Sequence, residues 1–326
     1  MFKEKRTEQQ TEAEPKINYH ILFVAHRTAK DFAKLEQDFE QCDIYVPECL
    51  GWNKKTARDY QQLSEGKITP GELAWQREVK NNSRQMKIWR IIYNSRKPII
   101  FIDVPYNRDE HQFDDFFMKM MANDEQSKTV MTKFKTGQLD KTIELGRNLF
   151  REEAKLYLER EEEMKNSLEK KVKTIIENNP KLNKKKKINV LLTLGVGHTS
   201  FYHWLKKERP RSSQELAESL IVYGSLSECL VRTIHHKPIN DLLIARGLVE
   251  RFLANYFYQF TDNSIKVMRI LRKMSDHLSL DDIEQISQQF KNKKRNANFY
   301  QIVIDYLKQK GVSIPDSKEK IDKLLK

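Results

Sequence analysis

Four short stretches of the 326-residue chain are apolar without clean alternation: "YHILFVAH" (19–26), "DIYVPE" (43–48), "PIIFIDV" (98–104) and "INVLLTLG" (188–195). Runs of β-branched and aromatic residues of this kind predict strands covered on both faces, the pattern of parallel sheets. Between the first two lies "TAKDFAKLEQDFEQC", in which Phe32, Leu35 and Phe39 recur at helical spacing and Thr28 is placed to cap the helix. Strand, helix, strand in so short a compass predicts a βαβ unit.

Helical periodicity dominates the rest. Residues 72–94 read as helix, and so does most of 111 to about 178, with a break near Gly137. Within "REEAKLYLEREEEMKNSLEKKVKTIIEN", Leu156, Met164, Leu168, Val172 and Ile175 share one stripe. Beyond 211 no strand pattern is visible; "SSQELAESLIVYG" and the segments after it all carry helical patterns, and "SLDD" supplies a cap at Ser279. The pattern predicts an α/β fold, a mostly parallel sheet flanked by helices, with an all-helical C-terminal portion. The expected divisions are a disordered tail over 1–17, an α/β domain over 18–210 and the helical portion over 211–326.

Charge changes the picture only modestly. Lys+Arg 59 against Asp+Glu 46 gives a net charge of +13, which favours acidic partners. The excess concentrates in "KKKK" (184–187) and "KNKKR" (291–295), read first as solvated loop or helix-end charge and second as a patch for an acidic partner. No aromatic or glycine-rich nucleic-acid signature accompanies them, so nucleic acid or a membrane surface is the third-ranked partner class. The polar N-terminus is no secretory signal, and no apolar run approaches the roughly 20 residues that span a bilayer. Cys42, Cys49 and Cys229 have neither metal-knuckle spacing nor a disulfide count. A cytoplasmic protein is expected.

Each predicted strand ends at or near an ionisable residue: His26, Glu48, Asp103 and His198. Ligands of open parallel sheets bind beyond the carboxyl ends of the strands, so these side chains are candidates for one site. "FVAHRT" and "GVGHTS" place His26 and His198 in matching turns, each after a small residue and before a hydroxyl. Two imidazoles and a carboxylate suit a divalent metal or acid–base work on water. Asp103 reads as a routine turn aspartate, and His235 and His236 as helix-end residues. Arg160 falls within the apolar stripe and is expected to face inward, whereas Glu159, Glu161, Glu162 and Glu163 read as a solvated acidic surface. Tyr256, Phe257, Tyr258 and Phe260 read as core. The Walker phosphate loop, the dinucleotide fingerprint and HExxH are absent.

Taken in order, "FVAHR" (His26), "YVPE" (Glu48), "LEREEEM" (Arg160) and "LGVGHT" (Gly195, His198) resemble the TraB/PrgY and TIKI superfamily, related more distantly to the erythromycin-esterase and ChaN-like proteins. The resemblance spans 18 to about 205 and leaves the helical third outside it. It departs from the family at Phe23, where glycine is usual, and at "ERE", where "ERD" or "ERN" is typical. It implies a pocket of His26, Glu48, Arg160 and His198 and a metal-assisted hydrolase acting on a peptide or small ester. His26, Glu48 and His198 would ligate manganese, cobalt or zinc. The alternative it implies is a non-catalytic relative that binds or sequesters a peptide or protein partner.

Overall fold

The computed structural model describes residues 15–23, 29–80, 83–106, 111–216, 224–261, 263–292 and 298–325. Chain order is β1 (Lys16–Phe23), α1 (Ala29–Gln41), β2 (Ile44–Pro47), α2 (Lys54–Glu65), α3 (Pro70–Gln76), α4 (Arg84–Ser95), α5 (His111–Lys135) and α6 (Leu139–Asn178). Then come α7 (Pro180–Asn183), β3 (Lys187–Leu194), a 3₁₀ turn (Val196–His198), α8 (Thr199–Glu208), β4 (Ser213–Leu216) and α9 (Ser225–Ile234). Last are α10 (Asp241–Phe257), α11 (Ser264–Ser275), α12 (Leu280–Lys291), α13 (Phe299–Gln309) and α14 (Lys318–Leu324).

The four strands form one parallel sheet in the order β2-β3-β1-β4. Alternation divides their side chains between two cores, as a sheet buried on both faces requires. Tyr19, Ile21 and Phe23 of β1 pack with Val190, Leu192 and Leu194 of β3 and with Met164, Leu168 and Val172 of α6. Leu22, Tyr45 and Leu191 point the other way, onto Phe32, Leu35 and Phe39 of α1 and Trp89 of α4. The α/β architecture with a helical C-terminal region is therefore as the hydrophobic pattern predicts.

Four details differ from it. The segment 98–104 is not a regular strand: it makes one isolated bridge, Tyr45 to Ile99, because Tyr45 is the one residue of β2 that exchanges backbone bonds with it. A strand, β4, lies beyond 210 where helix was expected, at the edge of the sheet, paired with β1 alone. The strand β1 begins at Lys16, inside the expected tail. On α6 the buried residue of the last turns is Ile176, with Ile175 only partly covered. Thr28, the expected cap of α1, lies outside the described residues.

The break at Gly137 is present: it takes a φ of 73°, a left-handed conformation that glycine adopts without strain, between α5 and α6. Ser279 caps α12 in a capping box with Asp282. Helices α9 to α14 close around a third core with Phe252, Phe257 and Phe290, and this core also takes in Phe134 of α5 and Ile143 and Phe150 of α6. Tyr256 and Phe260 pack against it, while Tyr258 is exposed. Helix α6 thus serves two cores, its amino-terminal half the helical one and its carboxyl-terminal half the sheet. Cys42, Cys49 and Cys229 are free thiols, and among the described residues no helix is long and apolar enough to cross a membrane.

Candidate functional site

The carboxyl ends of β2 and β3 lie side by side, since the backbone N–H of Glu48 donates to the Thr193 carbonyl at 2.9 Å. That extra bond carries Glu48 up to the turn after β3, where its Oε2 accepts the N–H of Gly195 at 2.6 Å. A Cβ on Gly195 would come within 3.2 Å of that same oxygen. The turn then brings His198 over the strand ends, its N–H bonded to the Gly195 carbonyl at 3.0 Å.

His198 is fully buried. Its Nε2 lies 3.2 Å from Glu48 Oε1, and its Nδ1 faces Glu161 Oε1 at 3.5 Å on the other side. That second approach is too poorly directed to count as a hydrogen bond. Burial alone would disfavour the imidazolium, but Glu161 and Glu48 outweigh it and raise the pKa of His198 above its ordinary value. Glu161 also accepts the hydroxyl of Ser200.

Arg160 enters from the middle of α6 and is almost wholly buried. Its fork takes Asp103 by two bonds, Nε to Oδ1 at 3.1 Å and Nη2 to Oδ2 at 2.6 Å, and Nη2 also donates to Glu48 Oε1 at 3.0 Å. Burial opposes its charge, but Asp103 and Glu48 more than compensate and keep the guanidinium firmly protonated. Glu48 collects the donors of all three neighbours. Burial pushes its carboxyl up, yet His198, Arg160 and the Gly195 N–H together hold it down to about 2.

Supporting contacts fix this cluster. Asp103 is held by the segment around it: Ser167 Oγ donates to the Ile102 carbonyl at 2.9 Å, Lys171 Nζ to that of Phe101 at 2.8 Å and Trp52 Nε1 to that of Asp103 at 2.7 Å. Tyr157, one turn before Arg160, lays its ring 5.2 Å from the His198 ring. Gly197 is required beneath that ring, because a Cβ there would meet Tyr157 Cε1 at 2.3 Å. Thr199 Oγ1 and His235 Nε2 are 2.6 Å apart, which ties the turn to the end of α9. Beside Arg160 and Tyr157 a cleft of about 350 Å³ runs between α5 and α6, its walls part apolar, with Phe116, Met120 and Leu156, and part polar, with Asn123, Asp124 and Glu153.

Of the four predicted site residues, Glu48, Arg160 and His198 converge, and His26 lies outside the described residues. Two partners were misread. Asp103 is no routine turn residue but the buried counter-ion of Arg160, a pairing that depends on the fold bringing residues 57 apart together. Glu161 is not solvated; it is completely buried against His198. Its signal was present, for it stands three residues before Met164 and seven before Leu168 on the apolar stripe. Phe23, at the position of the usual glycine, is buried in the sheet core beside Leu194 and does not line the cleft.

The resemblance implies a divalent metal, and the donor set can be tested for it. Glu48 spends both oxygens on Arg160, His198 and Gly195, and His198 has a carboxylate at each nitrogen. A histidine so placed is stabilised with both nitrogens protonated, which removes the lone pair that a metal requires. Glu48 and His198 therefore do not fit as a ligand pair in this arrangement. Comparison with protein-family models, with curated proteins and with solved structures returned no match.

Proposed function

We propose that the chain is a hydrolase of the TraB/TIKI-like type that cleaves a peptide or ester bond, with its substrate in the cleft between α5 and α6. The observation that supports this reading best is the convergence of three donors, from Arg160, His198 and Gly195, on the Glu48 carboxylate, with Arg160 also lining a cleft of mixed polar and apolar walls.

The roles follow from the protonation states. Substrate drawing the His198 N–H toward its leaving group removes one of the three bonds that hold Glu48 low, and Glu48 becomes the stronger base. Glu48 takes a proton from water as the water oxygen bonds to the carbonyl carbon, and the carbonyl electron pair moves onto oxygen. Arg160 stabilises that oxyanion by charge and by its fork, whose Nη1 is not used in the bonds to Asp103 and Glu48. Collapse expels the amine or alcohol, protonated by His198, and the proton on Glu48 then restores the imidazolium. His26, matched in sequence to His198, is carried in this reading as a second imidazole of the same site. No step is routed through a metal.

The test is hydrolysis of chromogenic esters and a peptide set by the full chain, with and without chelator, beside Glu48→Gln, His198→Asn and His26→Ala. Turnover that persists in chelator and falls about 10²-fold or more in the first two variants supports the reading. The second reading, a non-catalytic peptide binder, is favoured by the Glu48 carboxylate, both of whose oxygens are already engaged by Arg160, His198 and Gly195. Peptide binding without turnover in any condition would replace the first by the second.

A further inference from the structure

At the amino-terminal end of the sheet, remote from Glu48 and Gly195, a cavity of about 490 Å³ opens between β1, the start of β3, the last turns of α1 and the start of β4. His20, Asp38 and Glu215 each present a ligand atom there, and these atoms lie within 4.8 Å of one another. We propose that this cluster binds a divalent transition-metal ion of the zinc type, independently of the reaction proposed above.

One contact in the cluster is left unresolved by the protein. Asp38 is only 9% exposed, and its Oδ2 accepts no hydrogen bond, although it stands 3.5 Å from His20 Nε2. The other ring nitrogen, Nδ1, is 2.8 Å from Ser213 Oγ. In the tautomer that gives Nδ1–H to that hydroxyl, Nε2 turns its lone pair toward the carboxylate, and a cation between the two satisfies both; in the other, Nε2–H pairs with Asp38 across the same 3.5 Å. With metal bonds of about 2.0–2.1 Å at a tetrahedral angle, neighbouring ligand atoms stand roughly 3.4 Å apart. The observed gap has that size. A ring N–H given to a second acceptor is also how metal-bound histidines are fixed in one tautomer.

Lys34 is the built-in competitor. Its ammonium takes Asp38 Oδ1 at 2.9 Å and Glu215 Oε2 at 2.8 Å, and so leaves Oδ2 as the oxygen to spare. Entry of a metal draws Glu215 off Lys34 while the lysine keeps Asp38 Oδ1. Lys187 and Arg211 line the same cavity and add to the positive field. The site is therefore half-exposed, exchangeable and weaker than a closed structural zinc site, with a coordination position open to the cavity.

The experiment uses the full chain, with Co²⁺ absorption to report coordination and Zn²⁺ competition against a chromophoric chelator to report affinity. One equivalent is expected to bind. Affinity should fall at least about tenfold in His20→Gln and in Glu215→Gln, and about tenfold in Ser213→Ala. In Lys34→Gln it should rise about tenfold, because a like charge some ångströms from the ion has gone. His198→Asn, at the other end of the sheet, should leave it unchanged, which separates this site from the one above. Failure of both the wild type and Lys34→Gln to bind one equivalent, or wild-type affinity retained in His20→Gln and in Glu215→Gln, would overturn the proposal.

Discussion

Asp103 holds Arg160 by two parallel bonds, at 3.1 and 2.6 Å, while a third bond from the same guanidinium reaches Glu48. The pair is largely buried, so its members answer for one another. Asp103→Ala should destabilise the fold by about 3–5 kcal/mol, because it leaves a buried guanidinium with two bonds unmade and Glu48, already shared with His198, as its remaining carboxylate. Urea denaturation followed by circular dichroism checks this, and a loss under 1 kcal/mol would mean that Arg160 finds water once Asp103 is gone.

The pH dependence of stability has two limbs with opposite signs. His198 has a raised pKa in the folded state, so its contribution is complete below the ordinary histidine value of 6.5 and is lost as pH rises through the raised value. Glu48 is depressed from 4.5 to about 2, so its contribution is present above 4.5 and is lost as pH falls toward 2. The urea midpoint should therefore sag on the alkaline side in the wild type and less so in His198→Gln. Glu48→Gln should flatten part of the acid limb.

Gly197→Ala forces a methyl group into the Tyr157 ring, 2.3 Å from Cε1. Overpacking of this kind costs about 1–3 kcal/mol. In a Tyr157→Ala background the same substitution should cost a few tenths at most. A thermodynamic cycle of the four proteins measures the coupling, and simple additivity would show that the turn rather than the ring absorbs the methyl.

The N-cap of α9 is Gly224, which has no side chain with which to cap it. Glu250 of α10 replaces the cap: it accepts the Ser225 N–H at 2.8 Å and the hydroxyls of Ser225 and Ser275 at 2.6 and 2.8 Å. Glu250→Ala leaves the Ser225 N–H and hydroxyl without this acceptor, while Ser275 keeps the Arg272 carbonyl, and should cost about 1–3 kcal/mol. Glu250→Gln keeps an acceptor and should cost less. Thermal melts of the two variants rank them, and an equal loss would argue that the charge, rather than the bonds, is what matters.

What the sequence made legible was what burial writes into it. The strands β1, β2 and β3 announce themselves because both faces of their carboxyl-terminal halves are covered and those halves are mostly apolar. The edge strand β4 reads "SQEL", with Ser213 and Glu215 exposed, so no hydrophobic signature marks it. The run "PIIFIDV" has strand composition because Ile100, Phe101 and Ile102 are buried, yet it bonds to β2 only around Tyr45. Arg160 was legible from its place on the apolar stripe, and Glu161 by the same count was overlooked among four glutamates. Asp103 was beyond reach, since its role exists only after residues 103 and 160 have met.

Helix α6 runs for 40 residues, about 60 Å at 1.5 Å per residue, with Phe150 in one core and Met164 in the other. Arg160 and Glu161 sit at the seam. A single rod clamped at both ends denies either core an independent melting transition: loosening one frees half of the rod and exposes the apolar stripe of the other. Amide exchange along α6 should therefore be slowest around the seam and should report only the opening of the whole molecule. In mechanical terms the charged cluster lies near the fulcrum, the one place along the lever that moves least when either end is pushed.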